Sequence, residues 1–187
     1  APTLLLVPVA AKLAKTVGKR EIGVFGLVLG IASALILFII RTDDPLVFMA
    51  GYAMLMFGVA CLNILIWAFI TDVIDFQEIR TGERNDATVY ATYSWARKLG
   101  QAIAGGLTGW ALGWINYESG GVVQTDAVLE GIYSLATLLP ALLLTASVLA
   151  LAFWYSLSKK RVEENVALLE TKHAAAEEAQ EAAVSGE

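Results

Sequence analysis

Residues 46–70, LVFMAGYAMLMFGVACLNILIWAFI, contain no charged side chain. At about 1.5 Å of helix per residue, this run is long enough to cross a hydrocarbon core of roughly 30 Å. The whole chain has the same character, since 57% of its residues are hydrophobic, 17% are charged and the mean hydropathy is +0.64. In soluble domains, about a quarter of all residues are charged. The sequence therefore predicts an all-α, multi-pass membrane protein.

Five apolar segments predict five transmembrane helices, and an acidic segment follows them. We expect the helices at about 1–14, 21–40, 45–71, 87–115 and 128–157. Residues 1–157 then form the membrane-spanning region, and residues 158–187, rich in Ala and Glu, form an acidic cytosolic tail that is partly helical. The first segment is short, and the chain begins with Ala rather than Met and has no signal peptide. We therefore expect a fragment of a longer protein or a processed chain.

The distribution of Lys and Arg predicts the orientation, because short cytosolic loops carry an excess of these residues. One side of the predicted bundle holds most of the basic loop residues, which are Lys12, Lys15, Lys19, Arg20, Arg80, Arg84 and the run 159–161. The opposite side has only Arg41, and the loop 116–127 has neither Lys nor Arg. We therefore predict a protein of the cell (inner) membrane with a cytoplasmic carboxyl terminus. The sequence has no basic stripe, so we do not expect nucleic acid as a partner.

Two adjacent cations, Arg97 and Lys98, lie inside the fourth predicted span. Lys98 is 12 residues past Asp86, or about 18 Å along a helix, which is close to the bilayer midplane. A cation that faces lipid there costs at least about 2.5–3.5 kcal/mol, so such residues usually face a watery cavity or an acidic partner. No acidic residue of the predicted spans lies at this depth, so a partner is expected from sequence outside this chain.

A polar helix face surrounds the two cations. Four residues follow the spacing i, i+4, i+7, i+11 on one face, and two more lie beside it; the six are Tyr90, Ser94, Arg97, Gln101, Tyr93 and Lys98. Hydroxyls, an amide and cations on one face suit sugar hydroxyls or a carboxylate substrate. We predict that these six residues line a substrate and cation cavity. The alternative is a buried ion pair that only fixes helix packing.

The segment 71–86, TDVIDFQEIRTGERND, is the second cluster of charge, and we expect a loop over 72–86. Three carboxylates recur at three-residue spacing and two arginines follow: Asp72, Asp75, Glu78, Arg80 and Arg84. Carboxylates so placed could ligate Mg²⁺, as in membrane prenyltransferases, but such an enzyme needs a second acidic cluster that the spans lack. We predict instead that these five residues form a cytosolic gate of salt bridges in a transporter. Solvated helix ends are the remaining alternative.

Three other features predict packing or solvation rather than chemistry. Gly105, Gly109 and Gly113 form two G-x-x-x-G steps, which let another helix approach closely. Cys61, the single cysteine, is predicted to be a small packing residue. His173, the single histidine, is predicted to be a solvated residue of the tail, and no metal site is expected.

The two charged clusters resemble the glycoside–pentoside–hexuronide:cation symporters of the major facilitator superfamily, of which the melibiose carrier is the best-known relative. The resemblance is carried by "DVIDFQEIRTGER" and "VYATYSWARKLGQA", and it is strongest over residues 63–106. Ala91 and Gln77 depart from the family pattern, which commonly has Ser and Gly there. The resemblance implies that the chain is helices eight to twelve, part of the carboxyl-terminal bundle of a twelve-helix transporter.

The same resemblance implies a function and the parts that perform it. The expected activity is symport of a sugar, glycoside or hexuronide with Na⁺ or H⁺ by alternating access, and no enzymatic activity or cofactor is expected. Lys98 is implied to lie near the cation and sugar sites, whereas carboxylates of the amino-terminal bundle of the same protein, outside this chain, hold the ion. Arg97 is extra relative to the melibiose carrier and would favour an acidic sugar. A non-transporting sensor or assembly protein is the other alternative, beside the prenyltransferase-like enzyme.

Overall fold

The computed structural model describes residues 17–155 and 157–185, and every regular element in these ranges is an α-helix. We number the helices α1 (Lys19–Ile40), α2 (Pro45–Thr81), α3 (Asp86–Trp114), α4 (Asp126–Phe153) and α5 (Lys159–Ser185). The predicted all-α fold is confirmed. The first predicted span, about 1–14, lies outside the described residues.

Three of these helices are long and apolar enough to cross a membrane, namely α1, α2 and α4. Even the 22-residue α1 is about 33 Å long, which matches a hydrocarbon core. The 29-residue α3 is also long enough, but its cations, glycines and hydroxyl side chains make it less apolar than the others. Length and composition therefore support three of the four predicted spans that fall within the described residues.

The structure corrects the loop predicted over 72–86, because α2 continues as a helix from residue 72 to Thr81. The acidic segment predicted as a loop is therefore mostly helical. With 37 residues, α2 is about 55 Å long, and its last eleven residues, four of which are charged, extend beyond the uncharged run 46–70. Gly82, with a φ of 81°, ends the helix and donates its N–H to the carbonyl of Glu78 at 2.8 Å. This left-handed conformation suits glycine.

The core of the bundle is formed by α1, which packs between α2 and α4. α1 and α2 cross in near backbone contact, since a Cβ atom on Gly58 would overlap the carbonyl oxygen of Gly26. Buried apolar residues fill the contacts on either side of this crossing in two clusters, Ile22 with Leu65 and Phe69, and Ala34 with Leu55 and Ala141. Small residues at such a crossing let dispersion contacts accumulate along both helices.

Helix α3 stands apart from this core and buries none of its own residues against the described part of the chain. Near its start, the rings of Tyr90 and Tyr93 lie 6.2 and 5.6 Å from the ring of Trp67 on α2, measured between centroids. Farther along, a Cβ atom on any glycine of the two G-x-x-x-G steps would meet no described atom within 4 Å. The close approach of another helix to this surface therefore stays a prediction.

The carboxyl-terminal tail is helical and returns to the bundle. α4 ends at Phe153, a few residues before the predicted end of the fifth span at 157, and α5 packs against α2. Leu157 and Leu169 are buried where the tail meets the rest of the chain. The charged end of α2, the start of α1 and the tail are thus brought to the same end of the bundle.

Candidate functional site

The predicted cavity face lies on one continuous helix, α3, and the structure leaves it uncovered. Tyr93 is half-buried against Trp67, and the other five predicted residues are exposed; they are Tyr90, Ser94, Arg97, Lys98 and Gln101. Trp67, which the sequence argument did not single out, positions the aromatic end of this face. Its apolar neighbours on α2 gave no signal that would separate it from an ordinary packing residue.

Neither cation of this face has a partner in the described part of the chain. Arg97 and Lys98 form no hydrogen bond, ion pair or ring contact with the residues in 17–155 and 157–185. The bundle formed by α1, α2 and α4 does not reach them. A guanidinium and an ammonium on the same helical turn are thus presented to whatever packs against α3.

A buried carboxylate, Asp72, joins α1, α2 and the segment that follows α4 at the charged end of the bundle. Lys19, the first residue of α1, donates from Nζ to Oδ1 at 2.6 Å, and Tyr155, which follows α4, donates its hydroxyl to Oδ2 at 3.0 Å. Asp72 is only 4% exposed. Both of its oxygens accept bonds, as a buried carboxylate requires. We call Lys19, Asp72 and Tyr155 the Asp72 clamp.

A second group of charges surrounds Arg84 in the turn between α2 and α3. Its Nη1 donates to Oδ1 of Asp75 at 3.1 Å and to Oε2 of Glu78 at 2.9 Å, and its Nε lies 3.0 Å from Oδ1 of Asp86. His173 of α5 joins the group, with Nε2 only 2.7 Å from Oε1 of Glu78. We call these five residues the Arg84 cluster. It connects the end of α2, the start of α3 and the tail.

The bonding in the Arg84 cluster shifts the pKa values of two members. Hydrogen bonds from His173 and then from Arg84 stabilise the carboxylate of Glu78, which lies beyond the apolar part of α2, and lower its pKa. The same bond to Glu78, together with that to Asp75, raises the pKa of Arg84. A carboxylate that accepts two bonds, at 5% exposure, stays ionised and keeps the cluster intact near neutral pH.

The structure divides the five predicted gate residues into three sets. Asp72 belongs to the Asp72 clamp, whereas Asp75, Glu78 and Arg84 lie together in the Arg84 cluster. Arg80 joins neither, because its guanidinium lies 6.0 Å from the ring centroid of Phe76 and forms no ion pair with the described residues. Helical spacing explains the division, since residues 72, 75 and 78 drift around α2 and meet different neighbours.

The prediction that His173 is a solvated tail residue is right about its exposure but missed its contact with the bundle. Its side chain is 53% exposed, yet Nε2 lies within hydrogen-bond distance of a buried carboxylate 95 residues earlier in the chain. An ionised carboxylate only accepts, so Nε2 carries the donated proton. Lys19 and Tyr155 are the other participants that the sequence did not identify. All three contacts join residues far apart in sequence, and no local pattern indicates them.

Comparisons with known proteins give the chain its relatives. The family model described as MFS/sugar transport protein matches residues 1–159. The chain is 34% identical over 150 residues to Uncharacterized symporter YjmB of Bacillus subtilis, which covers 80% of this chain and 32% of that protein. It is 34% identical over 158 residues to Putative sulfoquinovose importer of Escherichia coli, which covers 84% of this chain and 33% of that protein.

A third relative, Putative glycoside/cation symporter YagG of Escherichia coli, is 37% identical over 97 residues, which covers 52% of this chain and 21% of that protein. The chain spans about a third, or less, of the length of these curated relatives. The resemblance inferred from the two charged clusters is confirmed by these matches.

Proposed function

We propose that this chain, which belongs to the MFS/sugar transport protein family, is part of a secondary active transporter that moves a sugar or glycoside together with a cation. The relatives include proteins named as symporters, as an importer of sulfoquinovose and as a glycoside/cation symporter. The substrate class is therefore a sugar or a sugar derivative, and the coupling ion is Na⁺ or H⁺. Transport, rather than an enzymatic reaction, is the activity that this family supports.

The observation that carries the proposal is the open polar face of α3. Arg97 and Lys98 lie on a helix long enough to span a membrane, and they have no partner in the described residues. Two such cations are costly in lipid and are stabilised by water, an anion or a facing carboxylate. A cavity shared with the amino-terminal bundle of the same protein would supply all three.

The division of labour within the proposed transporter follows the positions of the charged groups. Hydroxyl and amide groups of Tyr90, Tyr93, Ser94 and Gln101 bind the substrate, and Lys98 couples substrate binding to the ion. The ion itself is held by carboxylates of the amino-terminal bundle. The Arg84 cluster lies at the cytosolic end and stabilises the closed form of that side, as rocking of two bundles requires.

The location proposed for the protein is the inner membrane, with the tail in the cytoplasm. The basic residues Lys19, Arg84 and the run 159–161 meet at one end of the bundle. An excess of Lys and Arg marks the cytosolic side of a membrane protein. Because α5 packs against α2 at this end, the tail lies on the same side as the Arg84 cluster.

Flux measured on the intact protein tests the proposal. The purified full-length transporter is reconstituted into proteoliposomes, and uptake of radiolabelled melibiose, methyl glucoside and methyl glucuronide is followed under an inward Na⁺ gradient or an inward H⁺ gradient. We expect one gradient to drive accumulation of at least one of these sugars and an ionophore to abolish it. Absence of flux for all three sugars under both gradients would contradict symport and favour a sensor or assembly role.

A further inference from the structure

The tail helix α5 adds a contact that the family region does not contain. The match to the family model ends at residue 159, so almost all of α5 lies beyond the matched region. Leu169 is 6% exposed, and one helical turn later His173 reaches Glu78. The tail is thus fixed to the bundle by an apolar anchor and a hydrogen bond to a buried carboxylate.

The two oxygens of Glu78 are divided between two partners. Oε1 accepts from His173 at 2.7 Å, and Oε2 accepts from Arg84 at 2.9 Å. A hydrogen bond at one oxygen restricts the rotation of the carboxylate and so favours one direction for its other oxygen. His173 therefore orients Glu78 toward Arg84, and Arg84 continues to Asp75 on α2 and Asp86 on α3.

We infer that α5 is a cytosolic strap, and that His173 is the positioning residue through which it stabilises the closed form of the cytosolic side. This inference rests on the proposed gating role of the Arg84 cluster. When α5 leaves, Glu78 keeps only its bond to Arg84 and its side chain is less constrained. The link between α2 and α3 is then weaker, and the cytosolic side opens more often.

Accessibility of one engineered cysteine measures this opening. Ala91→Cys is placed on α3 in the full-length protein with Cys61→Ala, and a membrane-impermeant maleimide is applied to inside-out vesicles. We expect His173→Ala to raise the labelling rate about three- to tenfold, the effect of losing one hydrogen bond of ordinary strength. A chain that ends after Glu164, and so lacks Leu169 and His173, should show at least the same increase.

Two further variants separate the hydrogen bond from general damage to the tail. His173→Gln keeps an N–H donor at a similar reach. The labelling rate of this variant should therefore stay within about twofold of the rate measured with His173 in place. Lys172→Ala changes the neighbouring exposed residue, whose side chain forms no hydrogen bond or ion pair with the described residues, and should label at the original rate. An equal increase in His173→Gln and His173→Ala would overturn the role given to the donor.

Arg84→Ala separates failure of the strap from failure of the gate. If His173→Ala and the shortened chain label at the original rate while Arg84→Ala labels faster, the strap is overturned and the gate stands. If Arg84→Ala also labels at the original rate, the gating role of the Arg84 cluster is contradicted. The strap role of α5, which rests on it, is then contradicted as well.

Discussion

Lys19 Nζ donates to Asp72 Oδ1 at 2.6 Å and joins two helices across 53 residues of sequence. The hydroxyl of Tyr155 occupies the other oxygen of the same carboxylate. One side chain therefore holds together the start of α1, the charged end of α2 and the residue after α4. The Asp72 clamp therefore stabilises the packing of these elements against one another.

Asp72→Ala is expected to destabilise the protein. The substitution leaves the Lys19 ammonium and the Tyr155 hydroxyl without their acceptor, at a cost of about 1–3 kcal/mol. The lower end applies if solvent screens Lys19, whose side chain is 33% exposed. Thermal unfolding of the full-length protein in detergent should show a lower Tm. Asp43→Ala, at an exposed aspartate in the turn between α1 and α2, is the control, and an equal Tm for both variants would contradict the clamp.

Gly58→Ala is expected to disrupt the crossing of α1 and α2. The new methyl group would overlap the carbonyl oxygen of Gly26, and backbone cannot move aside as a flexible side chain can, so we expect about 1–3 kcal/mol of destabilisation. Gly23→Ala on α1 is the matched control, because its Cβ would lie 3.5 Å from the ring of Phe69, an ordinary contact. The Tm and the yield of folded protein should fall only for Gly58→Ala; equal behaviour of the two would show that the crossing is looser.

Lys98→Ala is expected to abolish coupled uptake without preventing folding. The ammonium forms no hydrogen bond or ion pair in the described part of the chain, so its removal should leave the Tm of the bundle nearly unchanged. A facing carboxylate left unpaired costs several kcal/mol, so gradient-driven uptake in proteoliposomes should fall at least about tenfold. Lys172→Ala on the tail should transport normally. Normal uptake by Lys98→Ala would remove this residue from the mechanism.

The two arginines of the segment 71–86 are expected to behave differently. Arg84→Ala removes three ion pairs, whereas Arg80→Ala removes only a contact with Phe76. The cytosolic accessibility of a cysteine at position 91 should therefore rise for Arg84→Ala and stay unchanged for Arg80→Ala. Asp75→Ala should shift it in the same direction as Arg84→Ala, but less, because Arg84 keeps two carboxylates. If the accessibility of this cysteine rose for Arg80→Ala and not for Arg84→Ala, Arg80 rather than Arg84 would be the gate residue.

The helices that cross the membrane were predictable because their signal is local. Uncharged runs such as 46–70 exceed the thickness of the hydrocarbon core, and the ends of α1 and α4 fall within a few residues of the predicted ones. The end of α2 was missed because hydropathy stops at the membrane boundary while the backbone continues as a helix. Gly82, in the left-handed conformation, is the residue at which the helix ends.

The charged contacts were predictable only in part. The acidic spacing in α2 indicated a network, and Arg84 was rightly placed near it. Lys19, however, lies 53 residues from its partner Asp72, and His173 lies 95 residues from its partner Glu78. Periodicity reports which face a residue lies on, not which distant element covers that face. The six residues of the α3 face stay a prediction for the same reason, since their covering element is not among the described residues.

The length of α2 has a mechanical consequence. Pro45 at one end and Thr81 at the other belong to a single uninterrupted rod. If this helix tilts about its midpoint in the proposed transporter, its two ends move in opposite directions. The opening on one side of the membrane would then widen while the opening on the other side narrows. The stiffness of the helix alone would then prevent both sides of the transporter from being open at the same time.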